Sequence, residues 1–469
     1  MARRTKPTNS GPAEPPPASE PADSSPENSQ IVPTNGPQFG EPAPTPDPTK
    51  FSVKHGSDSQ AYKILDSQRG SLQPRPFPIA GEAEPRLALG EALGKKGPDI
   101  EDAITKAGQI VFHSLGDTGN TKGPHDMELV ADKMVSDYNE TDPRAIPSFL
   151  YHLGDVVYSF GETQYYYDQF YDPFRNYPAP IFAVPGNHDG MVAPNSPAES
   201  LAAFLENFCA SGQPAHRTAE SGGLARTAQI QPAVYFTLEA PFVRILGLYS
   251  NCLEDPGVIS DQGGAYSSLT NSQVTYLEAA LQRIKKEKFP GAVIIAVHHP
   301  AYVAQTRAPN LNAGRHGGSP LMLKDIDTAC QNAGVWPHAV LSGHAHNYQR
   351  FTRTLDGRQT PFVVAGNGGH AIQRLTSKGM ATLRTPAVQA PLSNGDDQVV
   401  FENYDDSEYG YLRIIANQAQ LRIEYHPSSD GESAKTPDDS VTVDLATRKI
   451  VPYNVSGRTP GTRRTPGTL

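Results

Sequence analysis

The chain has 469 residues, and its 40 Lys and Arg residues against 50 Asp and Glu residues give a formal net charge of −10. The interior carries no stripe of Lys and Arg, so nucleic acid is not expected as a ligand, because nucleic-acid binding depends on clustered cations. No stretch approaches the ~20 consecutive apolar residues of a membrane span, so a membrane is not expected as a partner either.

The N-terminal region differs in composition from the rest of the chain. Residues 1–50 contain 13 of the 44 prolines and almost no large apolar side chains. Such a segment buries too little apolar surface to offset the chain entropy lost on folding. The end of the chain is also of low complexity, because RTPGT occurs there twice. We predict a disordered lead over 1–80, one folded domain over 85–450 and a disordered tail over 455–469.

The cytoplasm is the expected compartment. Arg3 and Arg4 are followed by polar residues instead of an apolar segment, so no export signal is predicted. Three cysteines lie far apart without CxxC spacing, which predicts free thiols in a reducing compartment: Cys209, Cys252 and Cys330.

Strand and helix patterns alternate along the predicted domain. The apolar, β-branched runs typical of strands are QIVFHSL (109–115), SFLYHL (148–153), PIFAV (180–184), AVIIAV (292–297), HAVLS (338–342) and PFVVAG (361–366). Helical periodicity is found at 126–138, 163–174, 199–208, 272–286 and 321–334. A hairpin is predicted within 233–251, and an antiparallel sheet without helices after residue 361. This order predicts a two-sheet α/β sandwich.

Five of the predicted strands end in short motifs rich in metal-ligand residue types. They are GDTG (116–119), GDVVY (154–158), GNHD (186–189), VHHP (297–300) and GHAH (343–346). The carboxyl ends of strands in an α/β sheet open on one edge, so these segments are expected to meet there. Each motif alone has a structural explanation, such as a helix cap or a buried imidazole. Five in succession favour a common site.

The residue types in these motifs indicate the kind of site. Asp, Asn, His and Tyr without Cys form an oxygen and nitrogen site suited to iron, zinc or manganese. About seven ligands with one shared carboxylate are too many for one ion. Two metal ions ~3.5–4 Å apart are therefore expected, and such pairs catalyse phosphoryl displacement.

In this order, the motifs resemble the calcineurin-like metallophosphoesterase superfamily and, within it, the purple acid phosphatase type, over about residues 109–425. Most of the superfamily has Asp-x-His in the first motif, whereas this chain has Asp117 followed by Gly119. Purple acid phosphatases share that change and have a tyrosine three residues after the second aspartate, which matches Tyr158 after Asp155. The resemblance implies a four-layer α/β/β/α sandwich of two mixed sheets.

The resemblance also implies the metal ligands. The first metal would be bound by Asp117, Asp155, Tyr158 and His346, and the second by Asp155, Asn187, His298 and His344. His299 is an alternative to His298, although the family usually places this ligand two residues before the proline. Because phenolate favours a trivalent ion, Fe(III) is expected in the first site, and Fe(II), Zn or Mn in the second.

Further residues are candidates for contact with the substrate. His188 would stabilise the phosphoryl oxygens or protonate the leaving alkoxide, with Asp189 orienting its ring; a structural hydrogen bond is the alternative. His316, with Arg315, would close over the substrate. His370 either supports the metals from a second layer or belongs to a loop.

The expected function is an acid phosphatase-like phosphomonoesterase that acts on a phosphate ester through metal-bound hydroxide. Two alternatives stay open. One is a phosphodiesterase for cyclic nucleotides or glycerophosphodiesters, and the other is a catalytically weak binding protein stabilised by its metals. The sequence carries no signal of oligomeric state.

Overall fold

The computed structural model describes residues 73–453 except 121–122, 193–196, 211–217, 219–220, 222–223, 225, 305, 307–315, 389–396 and 434. The predicted tail and the predicted lead up to residue 72 lie outside the described residues. Residues 73–80 of that lead pack on the domain. Phe77 is buried, and its ring centroid lies 6.0 Å from that of Tyr249. The packed chain therefore begins before residue 85.

Sixteen strands occur in the described part of the chain. They are β1 (Arg86–Ala88), β2 (Gln109–Leu115), β3 (Leu150–His152), β4 (Ile181–Ala183), β5 (Thr237–Ala240), β6 (Val243–Leu248), β7 (Ala292–Val297), β8 (Ala339–Ser342), β9 (Tyr348–Leu355), β10 (Arg358–Ala365), β11 (Pro386–Val388), β12 (Gln398–Asp405), β13 (Gly410–Asn417), β14 (Gln420–Pro427), β15 (Asp439–Asp444) and β16 (Lys449–Ile450).

The strands form two mixed sheets. A nine-stranded sheet has the order β1-β5-β6-β7-β8-β10-β9-β12-β11, with β6, β7, β8 and β10 parallel. A seven-stranded sheet has the order β16-β15-β14-β13-β2-β3-β4, with β2, β3 and β4 parallel. The predicted hairpin is β5 and β6. The predicted C-terminal antiparallel sheet is divided, because β12 joins the larger sheet while β13, β14 and β15 join the smaller one.

Eight helices occur in the described part of the chain. They are α1 (Leu89–Ala92), α2 (Gly97–Ala107), α3 (His125–Ser136), α4 (Asn187–Gly190), α5 (Ala202–Phe208), α6 (Ser272–Glu287), α7 (Pro320–Ala333) and α8 (Ser377–Ala381). The bounds of α7 follow from its sequence: Ser319 caps its first turn, and Gly334, with φ of 67°, ends it in the left-handed conformation. None of the described helices has both the length and the apolar character to cross a membrane.

Strand β7 shows how the layers are held together. Its residues alternate between two apolar clusters, so the strand reads as a continuous apolar run. Ile294 belongs to the core between the two sheets, together with Phe112 of β2 and Ile414 of β13. Ile295 belongs to the outer core, together with Leu281 of α6. Helices outside two facing sheets confirm the predicted four-layer α/β/β/α sandwich.

One predicted helix differs from the structure. Over 163–174 the chain forms a 3₁₀ turn at Thr163–Tyr165 and a π-helical turn at Tyr167–Tyr171. Large aromatic side chains are buried on every side of this segment, among them Tyr166 and Tyr171. Their packing overrides the regular helical period.

Candidate metal centre

The five predicted motifs follow strand ends that belong to both sheets. Strands β2, β3 and β4 of the smaller sheet lead into the first three motifs, and β7 and β8 of the larger sheet lead into the last two. We expected one sheet edge, but the site spans the adjacent edges of two stacked sheets. Backbone bonds join them: Gly116 N–H donates to the carbonyl of Ala365 at 2.9 Å, across the sandwich.

The first cluster of side chains surrounds the phenol oxygen of Tyr158. This Oη atom lies 2.9 Å from Oδ1 of Asp117 and 2.7 Å from Oδ2 of Asp155. It also lies 3.2 Å from Nε2 of His346. A phenol has a single hydrogen to donate, so it cannot satisfy three acceptors at once. A cation bound among these atoms would accept their lone pairs, which otherwise point at one another.

The second cluster surrounds the amide oxygen of Asn187. This Oδ1 atom lies 3.0 Å from Nε2 of His298 and 3.0 Å from Nδ1 of His344. His298 Nε2 is also 3.2 Å from Oδ2 of Asp155. Potential ligand atoms of Asp155, His298 and His344 all lie within 4.8 Å of one another. The other ring nitrogen of His344, Nε2, has no hydrogen-bond partner among the described residues.

The two clusters meet at one atom, Oδ2 of Asp155, which contacts both Tyr158 and His298. Oxygen and nitrogen ligands at ~2.0–2.2 Å from a tetrahedral ion are about 3.3–3.6 Å apart. The spacings within both clusters, from 2.7 to 3.5 Å, are at or slightly below this separation, so the groups would move apart slightly to admit an ion. The arrangement therefore offers oxygen and nitrogen atoms on both sides of Asp155 that could hold metal cations.

Unusual backbone conformations aim three of these side chains at the centre. Asp117, Asp155 and His344 have φ angles of 58°, 54° and 68°, in the left-handed region that residues other than glycine rarely adopt. Such strain persists where surrounding contacts over-determine it, and it is concentrated at functional sites. The contacts here include the backbone N–H of His344, which donates to Oδ2 of Asp117 at 2.8 Å.

The electrostatic field of the site attracts positive charge. Burial raises the pKa of Asp117 well above its usual range, and the nearby Asp155 adds to this effect. Burial opposes protonation of His298, but Asp155 and Asp117 outweigh it and raise its pKa to about 9. The carboxylates that would hold a proton on His298 would equally hold a metal cation in its place.

Hydrogen bonds on the far sides of the rings fix the orientation of the candidate ligands. His298 donates from Nδ1 to the carbonyl of Leu153 at 2.8 Å, and His346 donates from Nδ1 to that of Ala371 at 3.0 Å. Each ring therefore presents Nε2 to the centre, as second-layer bonds do in metal sites. Both nitrogens of His299 are used elsewhere, so the geometry favours His298 as the ligand.

His188 lies beside the clusters. Its backbone N–H donates to Oδ1 of Asp155 at 2.8 Å, and its ring donates from Nδ1 to the carbonyl of Ser159 at 2.7 Å. Asp189 does not orient this ring as we expected. Its carboxylate accepts backbone N–H bonds from Gly186 and Val156, because it caps the turn that carries the motif.

The remaining candidates lie at different distances from the centre. The ring centroid of His316 is 4.1 Å from that of His344, so the structure brings His316 to the site. Arg315 lies outside the described residues. His370 stacks on the ring of Tyr158 with a centroid distance of 3.7 Å, and it belongs to the layer behind the first cluster.

Glu254 is a site residue that the sequence reasoning missed. This buried carboxylate accepts a hydrogen bond from Nδ2 of Asn187 at 3.1 Å, and it lies 3.6 Å from Nε2 of His316. It follows β6, which runs parallel to β7 and so ends at the same edge. The signal in the sequence is CLEDPG (252–257), which directly follows the hairpin predicted within 233–251.

Comparisons with known proteins identify the family of the chain. A family model described as calcineurin-like phosphoesterase matches residues 111–348. Two purple acid phosphatases of Arabidopsis thaliana are similar in sequence. "Probable inactive purple acid phosphatase 9" is 23% identical over 61% of this chain and 42% of its own length. "Purple acid phosphatase 22" is 24% identical over 38% of this chain and 36% of its own length. The chain thus matches about two fifths of each relative.

Two solved structures are also similar in part. One is described as GAP50, the anchor in the inner membrane complex of Plasmodium, with 13% identity, a TM-score of 0.44, and coverage of 69% of this chain and 86% of that one. The other is PhoD, with 12% identity, a TM-score of 0.43, and coverage of 81% and 74%. The family match spans half of the sequence and contains all five motifs. The chain therefore belongs to the calcineurin-like phosphoesterase family.

Proposed function

We propose that the chain is a dinuclear, metal-dependent phosphomonoesterase of the purple acid phosphatase type. The observation that carries the proposal is the pair of ligand clusters joined at Oδ2 of Asp155. Asp117, Tyr158 and His346 complete the first site, and Asn187, His298 and His344 complete the second. When bound, the two cations neutralise phosphate charge and activate a water molecule for attack on phosphorus.

The chain's own residues orient the substrate and move a proton. His188 keeps Nδ1 bonded to the carbonyl of Ser159, so its Nε2 is the atom that would donate to the phosphoryl oxygens or to the leaving alkoxide. The ring centroid of His316 lies 4.1 Å from that of His344, and His316 would contact the same phosphate. Asp189 serves this arrangement indirectly, because it holds the turn that carries His188.

Iron in the trivalent state is proposed for the first site, and Fe(II), Zn or Mn for the second. Burial and the two neighbouring carboxylates raise the pKa of Tyr158 well above its usual range, so the phenolate would form only with a strong cation beside it. An iron-loaded protein should show a visible charge-transfer band that is absent from Tyr158→Phe. A band that survives this substitution would contradict ligation by Tyr158.

Activity is tested with a monoester and a diester that share a leaving group. The iron- and zinc-loaded protein should hydrolyse p-nitrophenyl phosphate faster than bis(p-nitrophenyl) phosphate. Faster cleavage of the diester would favour the phosphodiesterase alternative. If neither ester is cleaved by protein that holds two metals, the chain is the weakly catalytic binding protein instead. One relative is itself named a probable inactive purple acid phosphatase.

A further inference from the structure

Glu254 stands out because it contacts three residues of the site without being among the proposed ligands. It lies in the loop after β6 and is only 6% exposed. Its Oε2 atom accepts from Nδ2 of Asn187 at 3.1 Å and lies 3.9 Å from Nε2 of His188. Its Oε1 atom lies 3.6 Å from Nε2 of His316.

We propose that Glu254 is a positioning residue that holds the amide of Asn187 with its oxygen toward the second metal. This inference rests on the proposed function, because it assumes that Asn187 is a ligand. An asparagine amide has an oxygen that can bind a cation and an NH₂ group that cannot. A carboxylate accepts hydrogen bonds and donates none, so Glu254 selects the orientation in which Nδ2 faces it. Oδ1 then faces His298 and His344, each 3.0 Å away.

The alternative orientation of the amide would be costly. It would set Oδ1 of Asn187 against the carboxylate of Glu254, where two acceptors would meet in a buried place. Asn187 is fully buried, so water could not take over the lost bond. The carboxylate therefore specifies one of two orientations that occupy the same volume.

The backbone of the loop holds Glu254 in place, and His299 supplies the main contact. His299 donates from Nε2 to the carbonyls of Leu253 and Glu254, at 2.8 and 3.1 Å. Its Nδ1 accepts from the hydroxyl of Ser250 at 2.7 Å, which fixes the tautomer. The two adjacent histidines therefore have different roles. His298 presents Nε2 to the proposed metal site, while His299 anchors the loop whose carboxylate orients Asn187.

The first variant that tests the inference is Glu254→Ala. Removal of a residue that orients a metal ligand typically weakens metal binding about 10–100-fold. We expect a loss of that size for the second metal, with the first metal bound as before, measured by titration of the metal-free protein with zinc after iron loading. Glu254→Gln keeps the shape and one acceptor oxygen, and it should lose less affinity. An unchanged zinc affinity in Glu254→Ala would overturn the inference, and so would a larger loss in Glu254→Gln.

A double-mutant cycle tests whether Glu254 acts through Asn187. If it does, Glu254→Ala should have no further effect on zinc affinity in the Asn187→Ala background. Additive losses would show that Glu254 acts by another route and would overturn the inference. Glu278→Ala on the surface of α6 is the matched control, and it should titrate as the unchanged chain does. If the unchanged chain binds no second metal, the proposed function itself fails, which is a different result from all of these.

Discussion

Gly186 has no side chain, and the space that its Cβ would fill is taken by the carboxylate of Asp155. Gly343 is similar, because a Cβ there would lie 2.5 Å from Oδ2 of Asp117. The glycines before the ligand residues therefore allow the backbone to approach the two carboxylates closely.

A single methyl group at Gly186 should consequently disturb the metal centre. In Gly186→Ala, the carboxylate of Asp155 must move, so we expect fewer than two metal ions per chain by elemental analysis. Gly81→Ala is the control, because its Cβ would meet nothing within 4 Å. A Gly186→Ala protein that keeps the full metal content would show that the position of Asp155 is not critical.

At the scale of elements, Arg353 links β9 of the larger sheet to helix α7 and to the start of β12. Its guanidinium donates to both carboxylate oxygens of Asp327 on α7, at 2.7 Å each. It also donates to both oxygens of Asp397, just before β12, at 2.9 and 2.7 Å. All three side chains are buried. The two carboxylates therefore depend on this one cation.

Loss of the Arg353 guanidinium should destabilise the fold. Arg353→Ala leaves two buried carboxylates without their hydrogen-bonded cationic partner, and breaking such a buried pair typically costs about 3–5 kcal/mol in the free energy of unfolding. Urea unfolding would measure the loss. Arg144→Ala provides the comparison, because Arg144 and its partner Asp142 are exposed and should contribute little. Equal stability of the two variants would contradict the role given to Arg353.

The segment over 73–80 is an element that the sequence did not reveal. Its composition continues the proline-rich lead, so nothing in its pattern predicted that Phe77 would be buried against Tyr249. Arg75 adds a backbone contact, because its carbonyl accepts from Nδ2 of Asn251 at 2.9 Å. These contacts brace the loop after β6, which carries Glu254.

Two substitutions at nearby positions test whether burial of Phe77 stabilises the domain. Phe77→Ala removes a ring that is 9% exposed and should lower the free energy of unfolding by about 3 kcal/mol. Ile79→Ala changes a side chain that is 99% exposed and should have almost no effect. If both variants unfold at the same urea concentration as the unchanged chain, the segment does not contribute to the folded domain.

At the scale of the whole molecule, periodicity predicted the type of fold and the order of its parts. Strand β7 was predicted with its observed bounds because both of its faces are buried and all of its residues are apolar. Strand β9 was not predicted, since its polar residues, including Arg353, face partners that only the folded chain supplies.

The site was predictable as a set of motifs, but its division between two sheets was not. The strand-end motifs predict which residues form the site. Which sheet each strand joins depends instead on packing between segments that are far apart in the sequence. Glu254 was not predicted for the same reason. A single carboxylate after a strand belongs to no motif, and its role follows from its contacts with Asn187 and His316.

The central claim is that Asp155 joins two metal sites, and elemental analysis tests it most directly. The purified chain should hold two metal ions, Asp155→Asn should hold fewer than one and lose nearly all hydrolysis, and Asp142→Asn, an exposed control, should match the unchanged chain. Two ions retained in Asp155→Asn, or none in the unchanged chain after loading with iron and zinc, would contradict the account.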